Sequence, residues 1–238
     1  MDGVTCPTGA CVWSETEALL NSALSDGSVP GLAVCVHDGE GPVWEYAAGA
    51  AELRPESRRA DLDTVWDLAS LTKVLCTTPL VMSLLESGEV SLETPLLDGL
   101  DRAPEGITVA HCLQHASGWP AWRPFFNELG LRRETWGSEA ARDAVLEAIL
   151  ETPLEAPPGT QYRYSDLGMI ALGFALERWG GAPLSVLFEE RIGTPWKVGL
   201  TWGNEEAAAT EDCPLRGRVV RGDVHDLNAA VLGGVAGH

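Results

Sequence analysis

The spacing of apolar and polar positions divides the chain into a short β-rich beginning and a long helical stretch. Residues 14–25 open with Ser14, Glu15 and Glu17 and then carry apolar residues at helical spacing, which predicts a capped helix. Pro30-Gly31 breaks the chain before the compact apolar run 32–37, and residues 42–50 read as a returning strand. Asp38-Gly39-Glu40-Gly41 between them is turn chemistry, so the two runs predict a β-hairpin. Residues 52–63 are polar and arginine-rich, which predicts a loop. From Ser70 an apolar helical run continues to Gly88, and Pro79 inside it is expected to kink it. A helix apolar on most sides belongs in a core.

Helical spacing dominates the rest of the chain. Thr108 is placed to cap a short helix ending at Ser117-Gly118, and Ser138–Glu151 reads as an amphipathic helix. Ala156-Pro157-Pro158-Gly159-Thr160 makes a rigid turn into Gln161-Tyr162-Arg163-Tyr164-Ser165-Asp166, and an apolar helix follows to about Trp179. Trp119, Trp122, Phe125, Phe126 and Trp136 form an aromatic patch that either packs an irregular excursion or walls a substrate cleft.

Composition narrows the class of function. With 238 residues the chain can hold one large core or two unequal lobes, and 45% hydrophobic with 21% charged residues describes an ordinary globular protein. A formal net charge of −19 argues against nucleic acid or an anionic membrane as partner. There is no long apolar span and no basic-then-apolar leader, which makes the cytoplasm the expected location, or the periplasm or exterior if the true start lies upstream. The six cysteines are scattered and are expected to be reduced, with Cys6 and Cys11 the candidate pair.

The candidate chemistry centres on Asp67-Leu68-Ala69-Ser70-Leu71-Thr72-Lys73. Residues three apart share a helix face, so the Ser70 hydroxyl and the Lys73 amine can meet. A hydroxyl becomes a useful nucleophile when a neighbouring base takes its proton, and a lysine serves as that base if burial favours its neutral form. This is the S-x-x-K arrangement of acyl-transfer enzymes. The bland alternative is a first-turn serine beside a solvated charge. Only two lysines, Lys73 and Lys197, occur among sixteen basic residues, which shifts weight towards a chosen amine. Tyr164, at a loop-to-helix junction, is either a general base or acid, or a packed ring with Asp166 as the helix N-cap. His111 and His115 flank Cys112 at helical spacing, and with His225 they make a metal-binding protein the rival reading.

Three stretches in order, V-W-D-L-A-S-L-T-K, L-Q-H-A-S-G-W-P and P-P-G-T-Q-Y-R-Y-S-D-L-G-M, resemble the class C β-lactamase-like serine hydrolases. That family includes D-alanyl-D-alanine carboxypeptidases and esterases, and the resemblance runs from about residue 14 to the end, where residues 216–238 look like a stretch of one branch. It implies a two-lobed α/β (α+β) fold of the serine β-lactamase and penicillin-binding-protein type, here incomplete, with a helical lobe and a partial antiparallel sheet. It implies Ser70 as the acylated nucleophile with its N–H as half of the oxyanion hole, Lys73 as proton partner and Tyr164 as proton shuttle. The substrate implied is a small ester, an amide or a peptidoglycan-like molecule, with no metal and no organic cofactor.

Two departures from the family pattern matter. Asp166 stands where the family's Y-x-N motif has asparagine, and a carboxylate accepts hydrogen bonds but cannot donate one to a substrate carbonyl. It is also expected to hold Lys73 as the ammonium, which passes more of the base role to Tyr164. The family's third motif, K-T-G or H-x-G on a late strand, is not found; Lys197-Val198-Gly199 imitates it but sits in what resembles a loop. The expected organisation is residues 1–66 as helix and hairpin of the α/β lobe, 67–204 as the helical lobe, and 205–238 returning to the α/β lobe and cut short. With few strands to pair, the hairpin is expected to expose an edge. The rival from another class is a non-catalytic fragment or pseudoenzyme that acts by binding.

Overall fold

The computed structural model describes residues 12–97, 100, 104–234 and 237. The chain forms two compact units, one from the chain up to Asp67 with Asn204–Asp223, the other from Leu68–Gly203 with Val224 onward.

The first unit is a helix against a small sheet. Helix α1 (Ser14–Ser25) begins at Trp13, whose side chain makes no capping bond, so the serine cap expected at its start is not what ends it. Glu15 and Glu17 in its first turn complement the positive end of the helix instead. Strand β1 (Gly31–His37) runs antiparallel to β2 (Pro42–Glu52), pairing Leu32 with Ala48, Val34 with Tyr46 and Val36 with Trp44. Paired residues share a face, and α1 reaches this one. Trp44 Nε1 donates to Glu17 Oε1 at 3.3 Å, and the Tyr46 hydroxyl donates to Asn21 Oδ1 at 2.8 Å. The Trp13 ring stacks on Trp44 at 5.0 Å.

The expected loop after the hairpin contains a short third strand, β3 (Arg58–Arg59), giving the order β1-β2-β3. Strands β4 (Glu211–Cys213) and β5 (Arg218–Val220) form a separate antiparallel pair. Glu52 at the end of β2 is buried, and its carboxylate is compensated by Arg221 at 2.9 Å and Arg58 at 4.0 Å. A buried charge without such partners would be costly. Among the described residues β1 pairs only with β2, and its Ala33, Cys35 and His37 are exposed.

The second unit holds the main core. Its first segment is not one uniform helix. A 3-10 turn over Ala69–Leu71 passes into a π turn over Lys73–Thr77, which becomes helix α2 (Thr78–Ser87) and ends at the left-handed Gly88. Pro79 lies inside this continuous helical run, directly after the π turn: Thr77 and Thr78 before it are both helical, and the wider turn makes room for a ring that would otherwise meet the carbonyl four residues earlier. Helix α3 (Val109–Leu113) is capped by Thr108 as expected, with His111 closing a reciprocal box: His111 N–H donates to Thr108 Oγ1 at 3.4 Å, and Thr108 N–H to His111 Nδ1 at 3.2 Å. It ends earlier than expected, before the left-handed His115.

Helix α4 (Phe125–Glu128) is a single turn, and α5 (Glu139–Leu150) is capped by Ser138, which accepts from Ala141 N–H at 3.2 Å. The longest helix, α6 (Asp166–Gly180), buries Leu167, Met169, Ile170, Leu172 and Leu176 and forms the centre of the core with Leu80, Val109, Trp119, Phe125 and Ile149. Helices α7 (Leu184–Phe188), α8 (Thr194–Trp196) and α9 (Leu227–Val231) complete the unit. Arg142 ties three of these elements together. It donates to Leu232 O and pairs with Glu177, whose other oxygen accepts from Leu184 N–H at 2.9 Å.

Candidate active site

The backbone around Ser70 is bent to present it. Ala69 has a φ of 45°, left-handed for a residue with a Cβ, and such a conformation costs about 1–2 kcal/mol. Ser70 follows on the exposed 3-10 turn, and Lys73, one turn later, points inward and is only 4% exposed. Residues three apart on a helical run share a face, so the two side chains can meet. Lys73 Nζ donates to Ser70 Oγ at 2.9 Å.

The second half of the site comes from the start of α6. Asp166 is not its N-cap. Ser165 is: its Oγ accepts from Gly168 N–H at 3.2 Å and donates to Pro120 O at 2.9 Å. Capping by Ser165 leaves the Asp166 carboxylate to reach sideways, where its Oδ1 lies 2.8 Å from Lys73 Nζ. Both partners of this ion pair are largely withdrawn from water, with side chains 5% and 19% exposed. Tyr164, half-exposed, lays its ring 4.8 Å from the Lys73 ammonium. The structure thus brings Ser70, Lys73, Tyr164 and Asp166 together around one amine. Cation and ring attract each other in this arrangement.

His115 is the member that sequence reasoning missed as a partner of this group. Its Nδ1 accepts from Ser165 N–H at 3.2 Å, and its ring lies 4.5 Å from that of Tyr164. Burial pushes its imidazole below the ordinary value, as does the charge of Lys73, and Asp166 opposes them. A signal was available in the sequence. A histidine just after a short helix is one of the few non-glycine types that enter the left-handed region with any frequency.

The metal reading finds no support in the geometry. His111 is used as a helix cap, and burial drives the Cys112 thiol well above the usual cysteine range, so it is no ready thiolate. Among the described residues no group of three or more His, Cys, Asp or Glu side chains is placed to hold a metal ion. Lys197 ends α8 in a left-handed conformation and is exposed; it lies on no strand. The aromatic patch divides: Trp119 and Phe125 are core, whereas Trp122 is 47% exposed with its ring tilted against Phe126. The candidate pair Cys6 and Cys11 lies outside the described residues, and Cys35, Cys76, Cys112 and Cys213 are free thiols.

A helical unit with a small antiparallel sheet, and a Ser-x-x-Lys turn facing a Tyr-x-Asp junction, define a mixed α/β protein of the penicillin-binding-protein and β-lactamase type. The chain belongs to the family described as Beta-lactamase, whose profile matches residues 16–230. Among curated relatives, an Escherichia coli O157:H7 protein named "Putative D-alanyl-D-alanine carboxypeptidase" is 28% identical over 90% of this chain and 57% of its own. The N-acetylmuramyl-L-alanine amidase of Bacillus subtilis (strain 168) is 28% identical over 79% of this chain and 49% of its own. The chain therefore spans about half the length of the curated relatives it matches. The octameric penicillin-binding protein homologue from Pyrococcus abyssi superposes with a TM-score of 0.72 at 20% identity, covering 93% of this chain and 55% of that one. Among the described residues no helix is long and apolar enough to cross a membrane.

Proposed function

We propose that the chain carries the acyl-transfer site of a serine hydrolase, with Ser70 as the nucleophile. The observation that carries this is the Lys73 ammonium held between Ser70 Oγ at 2.9 Å and Asp166 at 2.8 Å. In the first step Ser70 Oγ bonds to the acyl carbon as the bond to the leaving group breaks, and the Ser70 proton passes by way of Tyr164 to the leaving group, which departs as an alcohol or amine, while the Lys73 ammonium stabilises the serine oxygen. Water then attacks the acyl-enzyme, gives up a proton along the same route, and releases the acid and free Ser70. The Ser70 N–H supplies one oxyanion donor.

Asp166 sets the division of labour. An ion-paired ammonium has hydrogens to give and no lone pair to accept with, so it stabilises the developing serine oxyanion, and Tyr164 takes the larger share of the base role. A carboxylate in place of an amide also lacks a donor for a substrate carbonyl. Activated esters are therefore the favoured acyl donors, ahead of β-lactams and peptide amides. The resemblance of the chain to carboxypeptidase-named and amidase-named relatives keeps peptidoglycan-like acyl donors within the class. No metal or organic cofactor enters this chemistry.

A second reading rests on Lys197, whose place off any strand leaves the third family motif unidentified. It makes the chain a non-catalytic binder. Stopped-flow release of p-nitrophenolate from p-nitrophenyl butyrate separates the two. The acyl-transfer reading expects a burst that is lost in Ser70→Ala and slowed at least tenfold in Tyr164→Phe. Equal release by wild type and Ser70→Ala would remove Ser70 from the chemistry and leave the binder.

A further inference from the structure

Tyr164 is held from both sides by a single residue. The N–H of Arg163, just before it, donates to His115 O at 2.7 Å, and the N–H of Ser165, just after it, donates to His115 Nδ1 at 3.2 Å. The His115 ring then lies against the Tyr164 ring at 4.5 Å with a 38° tilt, and the Tyr162 ring meets the imidazole edge-on at 6.1 Å. His115 reaches this position because its own backbone turns left-handed, φ 53°, directly after α3. It spans the end of one helix and the start of the next, with the tyrosine between its two bonds.

We infer that His115 is a positioning residue that clamps Tyr164 beside Lys73 and releases it when the imidazole takes a proton. The inference rests on the acyl-transfer reading for its consequence, though not for its geometry. The clamp requires a lone pair on Nδ1, because the group it faces is an N–H. A proton on Nδ1 turns the acceptor into a donor. Two donors then face each other and the Ser165 N–H bond to the imidazole is lost; the Ser165 Oγ bond to Pro120 O at 2.9 Å and the Asp166 N–H bond to Ala121 O at 2.8 Å remain, so Tyr164 is loosened on the imidazole side while the start of α6 stays in place.

The charged and titratable groups facing the imidazole set when this happens. Lys73, from the Ser70 turn, opposes a second positive charge, and Asp166, at the start of α6, partly offsets it. Tyr162 and Tyr164 present rings from the loop between, and the Arg163 guanidinium is turned away to Glu155 at 2.8 Å. On its own element, His111 is engaged by Thr108 and Cys112 is buried. Burial and Lys73 outweigh Asp166, so the imidazole protonates below its ordinary value near 6.5 and the clamp is closed at neutral pH. Acid opens it.

Two substitutions separate positioning from bulk structure. His115→Asn keeps an acceptor at the Nδ1 position, tolerates the left-handed backbone and cannot titrate. His115→Leu keeps apolar bulk and loses the acceptor. The readouts are the Ser165 amide proton followed by NMR across pH 4.5–8, and the rate of Ser70 modification by a fluorophosphonate over the same range. In the wild type the Ser165 resonance is expected to move with the His115 ring, and the modification rate to fall along the same curve. In His115→Asn the Ser165 resonance is flat with pH and the acid fall in rate is absent. His115→Leu is expected to lose about tenfold in rate at neutral pH, His115→Asn to restore most of that loss, and the effect of His115→Leu to vanish in a Tyr164→Phe background.

A Ser165 resonance indifferent to the His115 titration would overturn the inference. So would a His115→Leu loss of the same size with Tyr164 already removed, which would mark a merely structural role. If His115→Leu does not fold by circular dichroism, the wild-type and His115→Asn titrations decide alone. If Ser165 titrates with His115 but Ser70 is never modified, the clamp stands and the acyl-transfer reading falls.

Discussion

Replacing Asp166 with asparagine removes one charge from the centre of the site while keeping its shape. The pair it breaks has an N–O distance of 2.8 Å, with side chains 5% and 19% exposed. At an effective dielectric constant near 20 the Coulomb attraction at this distance is about 6 kcal/mol, most of it offset by desolvation of the two ions. Losing one partner of a buried pair costs about 3–5 kcal/mol, and two features reduce that here. Asp166 keeps some contact with water, and an asparagine oxygen in its place still faces the Lys73 ammonium with its partial negative charge. A loss of about 1–3 kcal/mol remains, to be read from urea unfolding of the helical unit. The same substitution gives Lys73 a neutral neighbour and restores an amide donor facing the substrate. Hydrolysis of a chromogenic β-lactam should therefore rise about tenfold in Asp166→Asn relative to ester hydrolysis, equivalent to about 1.4 kcal/mol. A robust β-lactamase rate in the wild type, undiminished against Asp166→Asn, would refute this account of the carboxylate. An unchanged urea midpoint would refute the assigned strength of the pair.

Further expectations follow from the same geometry. Ser165→Ala removes a buried cap with two hydrogen bonds, at 3.2 and 2.9 Å, and should cost about 1–3 kcal/mol in a urea melt; a change under about 0.5 kcal/mol would show the cap to be dispensable. Ala69→Gly relieves a left-handed alanine and should raise stability by about 0.5–1 kcal/mol, whereas a lowered midpoint would show the bend to be unstrained. Gly118→Ala drives a Cβ into Ala156 O at a φ of 88°, so a loss of at least about 2 kcal/mol is expected, and a neutral result would mean that this turn can yield. Stability should also depend on pH through His115. Its folded value is lowered, so the unfolded chain takes the proton first. Stability is then unaffected above about 6.5 and declines as pH falls from there towards the lowered folded value, and His115→Asn should flatten that slope.

Local sequence signals gave most elements and fewer junctions. The hairpin was legible because turn residues separate two apolar runs, and α5 because Ser138 precedes an amphipathic repeat. Strand β3 was not, since two arginines carry no strand signal and pair only because β2 offers an edge at Ala50 and Glu52. The 3-10 and π turns around Lys73 were hidden for a related reason. Side-chain periodicity hardly distinguishes them from an α-helix, and the packing of buried Lys73, Cys76 and Thr77 belongs to tertiary structure. In the site, Ser70 and Lys73 were readable as a spacing, but the capping role given to Asp166 belongs to Ser165. The difference leaves the Asp166 carboxylate free to meet the amine. The part of His115 could not be read from spacing, because its two bonds span Arg163 and Ser165, residues 48 and 50 positions away along the chain.

Whether the Ser70 hydroxyl is activated by its neighbours is read from intact-mass spectrometry after treatment with a fluorophosphonate. One adduct per chain is expected on wild type, mapped to the peptide containing Ser70, slower to form in Tyr164→Phe and absent in Ser70→Ala. An unmodified wild-type mass, or an adduct that persists in Ser70→Ala, would contradict that activation.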